Sequence, residues 1–409
     1  MNDEFLPIIL GSDENVYGMA RAFYERYGVK SLLVCRLRLT ATKYSKILRI
    51  IQVDDLDTDE VFVPAILEIL KGQPGKKILI PCSDRYTQLI VQNSAALEPY
   101  IANRFISEAL LHEFVTKDRF YELCEQHGLR YPRTVICPSE KRLEVLDTLP
   151  FGFPLVLKAN NSNSYEFLNS TFADKKKVYF IKTPEELMSV IQNMNSSDYH
   201  DNLILQEFIP GDDTCMRVLN CYSDNDCKVK LMCLGRPVLE EYTPQAAGNY
   251  AAIISEGNPE LYAKIKGFLE AITYKGFSNF DLKYDSRTNE YVLFEINPRQ
   301  GRSSFYVTAA GYNLAEFITR DVVFNEDYDT VYGDKEFLWL SVPKRILYRY
   351  VHNAEVSSQI RRLIKEKRYD YTLLYEKDFS LIRYLRMRWF IRRHHANYRR
   401  FFFDKDTFR

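Results

Sequence analysis

The stretch FEINPRQGRSS, residues 294–304, places an acid, an amide and two guanidinium groups within one short segment. Phe294 and Ile296 alternate with Glu295 and Asn297, the pattern of a strand whose side chains take opposite faces with a period of two. Glu295, Asn297 and Arg299 therefore set out on one face before Pro298 and Gly301 end the strand. A carboxylate, an amide oxygen and a guanidinium aimed at one spot fit a metal-and-phosphate arrangement. A solvated strand face closing in a Pro/Gly turn is the plainer alternative.

The residues just upstream favour the first reading. NFDLKYDSRTNEYVLFEINPR (279–299) reads as a hairpin with the polar DSRTNE as its loop, so Asp281 and Glu295 can face each other across the ladder. Two carboxylates and an amide oxygen are poor neighbours unless a cation lies between them, and hard oxygen ligands suit Mg²⁺. Arg299 and Arg302 would hold anionic oxygens through their planar forks. Further upstream, Lys158 ends the apolar strand PLVL, where a lone ammonium needs an anionic partner. Lys117 stands before a separate helix. The strand LILQEFI offers backbone groups at Glu207, Phe208 and Ile209 to an adenine edge, and Asp212 and Asp213 follow in the turn. Each lysine, taken singly, also fits an ordinary surface charge.

The rest of the chain supplies a frame for these groups. Its 409 residues allow two or three domains, and 46% hydrophobic with 27% charged residues is a globular composition. The segment MNDEFLPIILGSDENVYG has no basic n-region, so no signal peptide is expected, and no run approaches a membrane span. Eight cysteines without a C-x-x-C suggest a reducing compartment, hence the cytoplasm. Cys215, Cys221, Cys227 and Cys233 recur every six residues but sit in strand-like runs, where Cys acts as a small buried hydrophobe. Over the first hundred residues strands (PIIL, KSLLVC, KKILIPC) alternate with helices, which implies parallel strands with crossovers. GSDENVYG after the first strand lacks the G-x-G-x-x-G spacing of a dinucleotide site. Ser83, Asp84 and Arg85 follow a parallel strand at its C-terminal end, a second place for a small substrate.

The order Lys117, VLK at Lys158, QEFIPGDD and FDLKYD…FEINPR resembles the ATP-grasp superfamily over about residues 1–325. The resemblance implies a mixed α/β and α+β fold. It has an N-terminal parallel α/β domain (1–112), an ATP-grasp domain (113–330, its small subdomain at about 130–208) and a basic, aromatic, helical C-terminal extension (331–409). It also implies that Lys117 and Lys158 bind ATP phosphates, that Glu207, Phe208 and Ile209 hold the adenine, and that Asp212 or Asp213 holds the ribose. Asp281, Glu295 and Asn297 would ligate two Mg²⁺ ions, with Mn²⁺ the alternative, and Arg299 would contact the transferred phosphate. In place of the superfamily's usual glycine-rich flap, NNSNSYEFLNSTFADKKK (160–177) has no glycine, leaving Ser, Asn and Lys175 to Lys177 for that task.

Within the superfamily, ILIPCSDRYTQLI, the Ser-rich flap and NFDLKYDSRTNEYVLFEINPRQGRSSFYVTAAGYNLAEF look most like the D-aspartate ligase branch. That resemblance implies ATP-driven amide formation through an acyl phosphate, with ADP and phosphate as products. The β-carboxylate of D-aspartate would be joined to the ε-amine of lysine in a peptidoglycan precursor. Arg302, Ser303 and Ser304, or Ser83, Asp84 and Arg85, would position the small acid. Two alternatives are an ATP-grasp ligase joining amino acids into dipeptides and a nucleotide-binding peripheral membrane protein without catalysis.

Net charge is zero but unevenly spread: residues 340–409 hold 18 Lys and Arg against 7 Asp and Glu, and residues 1–339 hold 37 against 48. In FSLIRYLRMRWFIRRHHANYRRFFF (379–403), Ile382, Leu385, Trp389 and Arg393 fall along one helical stripe. Docking on the acidic body and a peripheral contact with an anionic membrane at its inner face both fit. Nucleic acid is not expected, since no readout motif accompanies the charge.

Overall fold

The computed structural model describes residues 4–142, 144–160, 165–172, 174–176, 178–243, 246 and 248–402. The chain divides into two compact units: residues 1–111, 212–281 and 296–409 form the first, and 112–211 with 282–295 form the second.

The first unit opens with strands β1 (Phe5–Leu10), β2 (Ser31–Cys35), β3 (Leu48–Gln52) and β4 (Lys76–Pro81). All are parallel, in the order β3-β2-β1-β4. Helix Glu14–Tyr27 makes the first crossover. Asp13 caps it by accepting from the Val16 amide at 3.2 Å, and Gly28 ends it in the left-handed region at φ 67°. The chain builds β2 and β3 on one side of β1 and then returns to place β4 on the other. The order therefore reverses between β1 and β4, and the loops after these two strands flank a topological switch point. β3, half-buried LRIIQ, was not anticipated from the sequence because its apolar positions are interrupted by Arg49 and Gln52.

The second unit holds β5 (Thr134–Cys137), β6 (Leu155–Ala159), β7 (Val178–Ile181) and β8 (Leu203–Glu207), an antiparallel sheet ordered β5-β8-β6-β7. Leu155, Leu157, Ile181, Leu203 and Leu205 pack on Leu187, Ile191 and Met194 of helix Pro184–Asn195. Thr183 caps that helix by accepting from the Glu186 amide at 3.3 Å. The expected loop at 160–177 contains one turn of helix, Tyr165–Asn169. Asn161 to Ser164, Ala173 and Lys177 lie outside the described residues.

The remaining strands are β9 (Met216–Ser223), β10 (Val229–Glu240), β11 (Tyr250–Glu256), β12 (Gly276–Asp285), β13 (Glu290–Asn297), β14 (Val331–Gly333), β15 (Leu338–Leu340) and β16 (Tyr369–Tyr371). They form one sheet in the order β13-β12-β9-β10-β11-β15-β16, with β14 beside β10. The expected hairpin is β12–β13. The C-terminal stretch is not purely helical, because β14, β15 and β16 join this sheet; three-residue strands carry too little periodicity to be read from sequence. Cys221 and Cys233 are buried in β9 and β10, whereas Cys215 and Cys227 are half-buried in flanking turns rather than in strands. All described cysteines are free.

Candidate active site

In the second unit the two lysines come together. Lys158 is carried by β6, half-buried, with its ammonium 5.4 Å from the centre of the Phe294 ring. It makes no hydrogen bond or ion pair among the described residues. Burial, and then the nearby Lys117 ammonium, push its pKa down to about 7, against the pull of Glu295. Lys117 opens helix Lys117–Gln126 behind the Thr116 cap position. The Tyr121 hydroxyl donates to the Phe294 carbonyl at 3.0 Å, tying this helix to the strand that carries Glu295. Two cations sharing a half-buried space are held apart only by cost unless a polyanion joins them.

β8 ends at Glu207, so the backbone of Phe208 and Ile209 lies beyond the strand. The buried Glu207 carboxylate is itself occupied: its oxygens accept from the Arg133 amide at 3.0 Å and the Arg133 guanidinium at 3.1 Å. Lys283 sits over the Phe208 ring at 5.4 Å and donates to the Gly211 carbonyl at 2.8 Å.

The first unit orders the residues after the hairpin. Along β13, exposed Glu295 and half-buried Asn297 alternate with buried Ile296, as the period of two requires. Asp281, on β12, accepts from the Tyr250 hydroxyl at 2.8 Å and from the Asn297 side-chain amide at 3.3 Å. The Arg299 guanidinium holds both oxygens of Asp84, at 2.6 and 3.0 Å. A Cβ on Gly301 would collide with the Asn279 side-chain amide, so any other residue here requires Asn279 to move. Ser303 and Ser304 are buried, and the Ser304 hydroxyl faces the Asn15 side-chain oxygen at 3.4 Å. Arg302, between them and Gly301, is exposed.

The other expected residues divide by accessibility. Asp213 is buried and accepts from the Glu240 amide at 3.0 Å and the Tyr242 hydroxyl at 2.9 Å. Asp212 is half-buried and caps the turn through Thr214. Ser83 caps the helix after β4 through the Tyr86 amide, and Arg85 is engaged by the Asp57 carbonyl at 2.8 Å and by Asp59 at 2.7 Å.

Sequence reasoning missed a set of titratable groups around Arg302: Asp13 and Glu14 after β1, Glu241 after β10, and His394 at the start of helix His394–Phe401. No motif joins them, since they are gathered from three distant stretches of chain. The one available signal was the placement of Asp13 and Glu14 at the C-terminal end of the first parallel strand.

No family model matches the chain. Over 416 aligned residues, 99% of this chain and 98% of the relative, it is 43% identical to a D-aspartate ligase of Enterococcus faecium (strain Aus0004). Among solved structures it is similar to an L-amino acid ligase from Bacillus licheniformis (TM-score 0.55, 14% identity, 79% of this chain and 75% of that one). It is also similar to N5-carboxyaminoimidazole synthetase from Staphylococcus aureus, solved with ADP (TM-score 0.59, 14% identity, 83% of each chain). These two likenesses concern the fold, which is that of ATP-grasp proteins. The extent and level of the sequence identity place the chain in the D-aspartate ligase family, carbon–nitrogen ligases built on the ATP-grasp fold.

Proposed function

We propose that the protein uses ATP and Mg²⁺ to join the β-carboxylate of D-aspartate to the ε-amine of lysine in a peptidoglycan precursor. The observation that carries this reading is the pair Lys158 and Lys117, a half-buried double cation with no ion-pair partner among the described residues. The phosphates of ATP supply the missing anion. Lys117 and Lys158 hold those phosphates, the backbone of Glu207, Phe208 and Ile209 meets the adenine edge, and Asp212, the more accessible of the two acids, takes the ribose. Asp281, Glu295 and Asn297 offer only oxygen donors, the set that suits a hard cation, and would hold two Mg²⁺ ions, or Mn²⁺ in their place. Bound metal would neutralise charge on the transferring phosphate. Arg299 steadies the transferred phosphate and exchanges Asp84 for it. Arg302 orients the small acid.

An acyl phosphate is the intermediate this arrangement favours. Hydroxylamine should therefore trap a hydroxamate that depends on both ATP and D-aspartate, with ADP and phosphate released. Release of AMP and pyrophosphate would sink the mechanism, and equal trapping with a panel of other amino acids would favour a dipeptide-forming ligase.

For location, we infer attachment to the anionic inner face of the cytoplasmic membrane through 379–403. Helix Leu381–Arg392 turns Arg383, Met387 and Ile391 inward, with Arg383 donating to the Ala41 carbonyl at 2.8 Å and pairing with Asp378 at 2.9 Å. Docking thus uses this face. The expected stripe points the other way: Ile382, Leu385 and Trp389 are 59%, 58% and 62% exposed, with Leu381 beside them. Arg386, Arg388, Arg392 and Arg393 flank it, all exposed. Apolar residues edged by arginines fit a lipid headgroup boundary. No helix among the described residues is long and apolar enough to cross a membrane. Vesicles containing phosphatidylglycerol should pellet the protein at low salt and release it as salt rises, with a blue shift of Trp389 emission, Trp339 being buried. Failure to pellet, or pelleting unaffected by Leu385→Glu, overturns this.

A further inference from the structure

The groups around Arg302 have no part in the roles above, and their state is unusual. Glu241 is 8% exposed and its carboxylate makes no hydrogen bond among the described residues. His394, 7% exposed, points Nδ1 at the Glu241 Oε2 from 3.7 Å, too far for a hydrogen bond, and that nitrogen has no other partner. The Glu14 Oε1 is likewise enclosed without a partner. Asp13, Glu14 and Glu241 all feel the Arg302 charge, and burial together with the neighbouring arginines lowers the His394 pKa to about 4, leaving its ring neutral. Burial raises all three acids, Glu14 to about 7. Two buried polar atoms without a hydrogen-bond partner, Glu14 Oε1 and His394 Nδ1, are costly as they stand. An ammonium group brings three donors and one positive charge, the complement of what is missing. The cluster also lies at the end of β1, beside the switch point, and Asp13 feels Arg299 as well as Arg302.

We propose that Glu14, Glu241 and His394 form the recognition site for a substrate's primary ammonium group, with Arg302 taking a carboxylate beside it. This rests on the ligase reading. The ammonium can come from the amino-acid donor or from the acceptor amine, and the two sources are separable.

Glu14→Gln, Glu241→Gln and His394→Gln are measured in two assays: hydroxamate formation from ATP and D-aspartate, which needs no acceptor, and amide formation with a lysine-containing peptidoglycan precursor. If the donor supplies the ammonium, the KM for D-aspartate rises tenfold or more in the first assay. Succinate, which lacks the ammonium, is then used no worse by the variants than by the wild type. If the acceptor supplies it, hydroxamate kinetics stay unchanged and the KM for the precursor rises instead. In both cases the Kd for ATP and the melting temperature stay near wild type. KM values within twofold of wild type for both substrates in all three variants overturn the proposal. Should the wild type form no hydroxamate, the ligase reading fails by itself. Calorimetric titration of D-aspartate and of the precursor into wild type and Glu241→Gln then decides the ammonium site, equal affinities overturning it.

Discussion

Lys158 and Arg299 are both cations at strand ends, one in each unit, and they are kept in opposite states. Lys158 is half-buried on β6, without an ion-pair partner among the described residues, and its pKa is pushed down to about 7 by burial and by Lys117. Arg299 is gripped through two oxygens by Asp84. A half-buried ammonium beside a second one raises the free energy of the empty protein, and a polyanion relieves it on binding. A guanidinium already on a carboxylate gains little from a new anion beyond the exchange itself. The first arrangement favours tight dependence on a ligand, the second favours positioning.

That contrast can be broken in order of expected effect. Glu295→Gln removes the one carboxylate whose charge raises the Lys158 pKa and, on the metal reading, a ligand. Turnover should fall below a tenth of wild type, a loss of at least about 1.4 kcal/mol in the transition state, with the melting temperature preserved. A smaller loss would remove Glu295 from the metal site. Lys158→Ala should come next, weakening ATP binding measured by calorimetry more than it lowers saturated turnover.

The pH dependence follows from the sign of the Lys158 shift. In the free protein the ammonium is fully charged below about 7 and is lost above it, whereas phosphate binding favours the charged form. ATP affinity should therefore be level below pH 7 and fall above it by at most about tenfold per unit. Protons should be taken up on binding, and Lys158→Ala should abolish the slope. A wild-type affinity independent of pH from 6 to 8.5 would contradict this picture. The smallest effect belongs to Asp84→Ala. The pair is half-exposed on the Asp84 side, so unfolding free energy should change by less than about 1 kcal/mol, and ATP affinity should stay near wild type. A loss of ATP affinity as large as that of Lys158→Ala would erase the distinction between the two cations.

What could be read in advance was local. The alternating pattern of β13 and the apolar runs of β1, β2 and β4 each depend on a few adjacent residues, and these were legible. Asp84 was legible as part of one of two candidate places for a small substrate, but not its pairing with Arg299, far along the chain. The stripe of Ile382, Leu385 and Trp389 was visible as a stripe, yet its direction was not. Met387 and Ile391, equally apolar, occupy the other side of the same helix, and packing alone chose between the two faces.

By itself the sequence determined the alternation of strand and helix in the first hundred residues and the identity of the hairpin. It also determined the supply of oxygen donors and cations, because hydrophobic period and residue chemistry are properties of neighbouring positions. Only the tertiary structure decided which of those groups are left without partners. The isolation of Lys158, the pairing of Arg299, and the gathering of Glu14, Glu241 and His394 about Arg302 all depend on side chains brought together from distant stretches of chain. Burial and charge are then set by those neighbours, which no local pattern records.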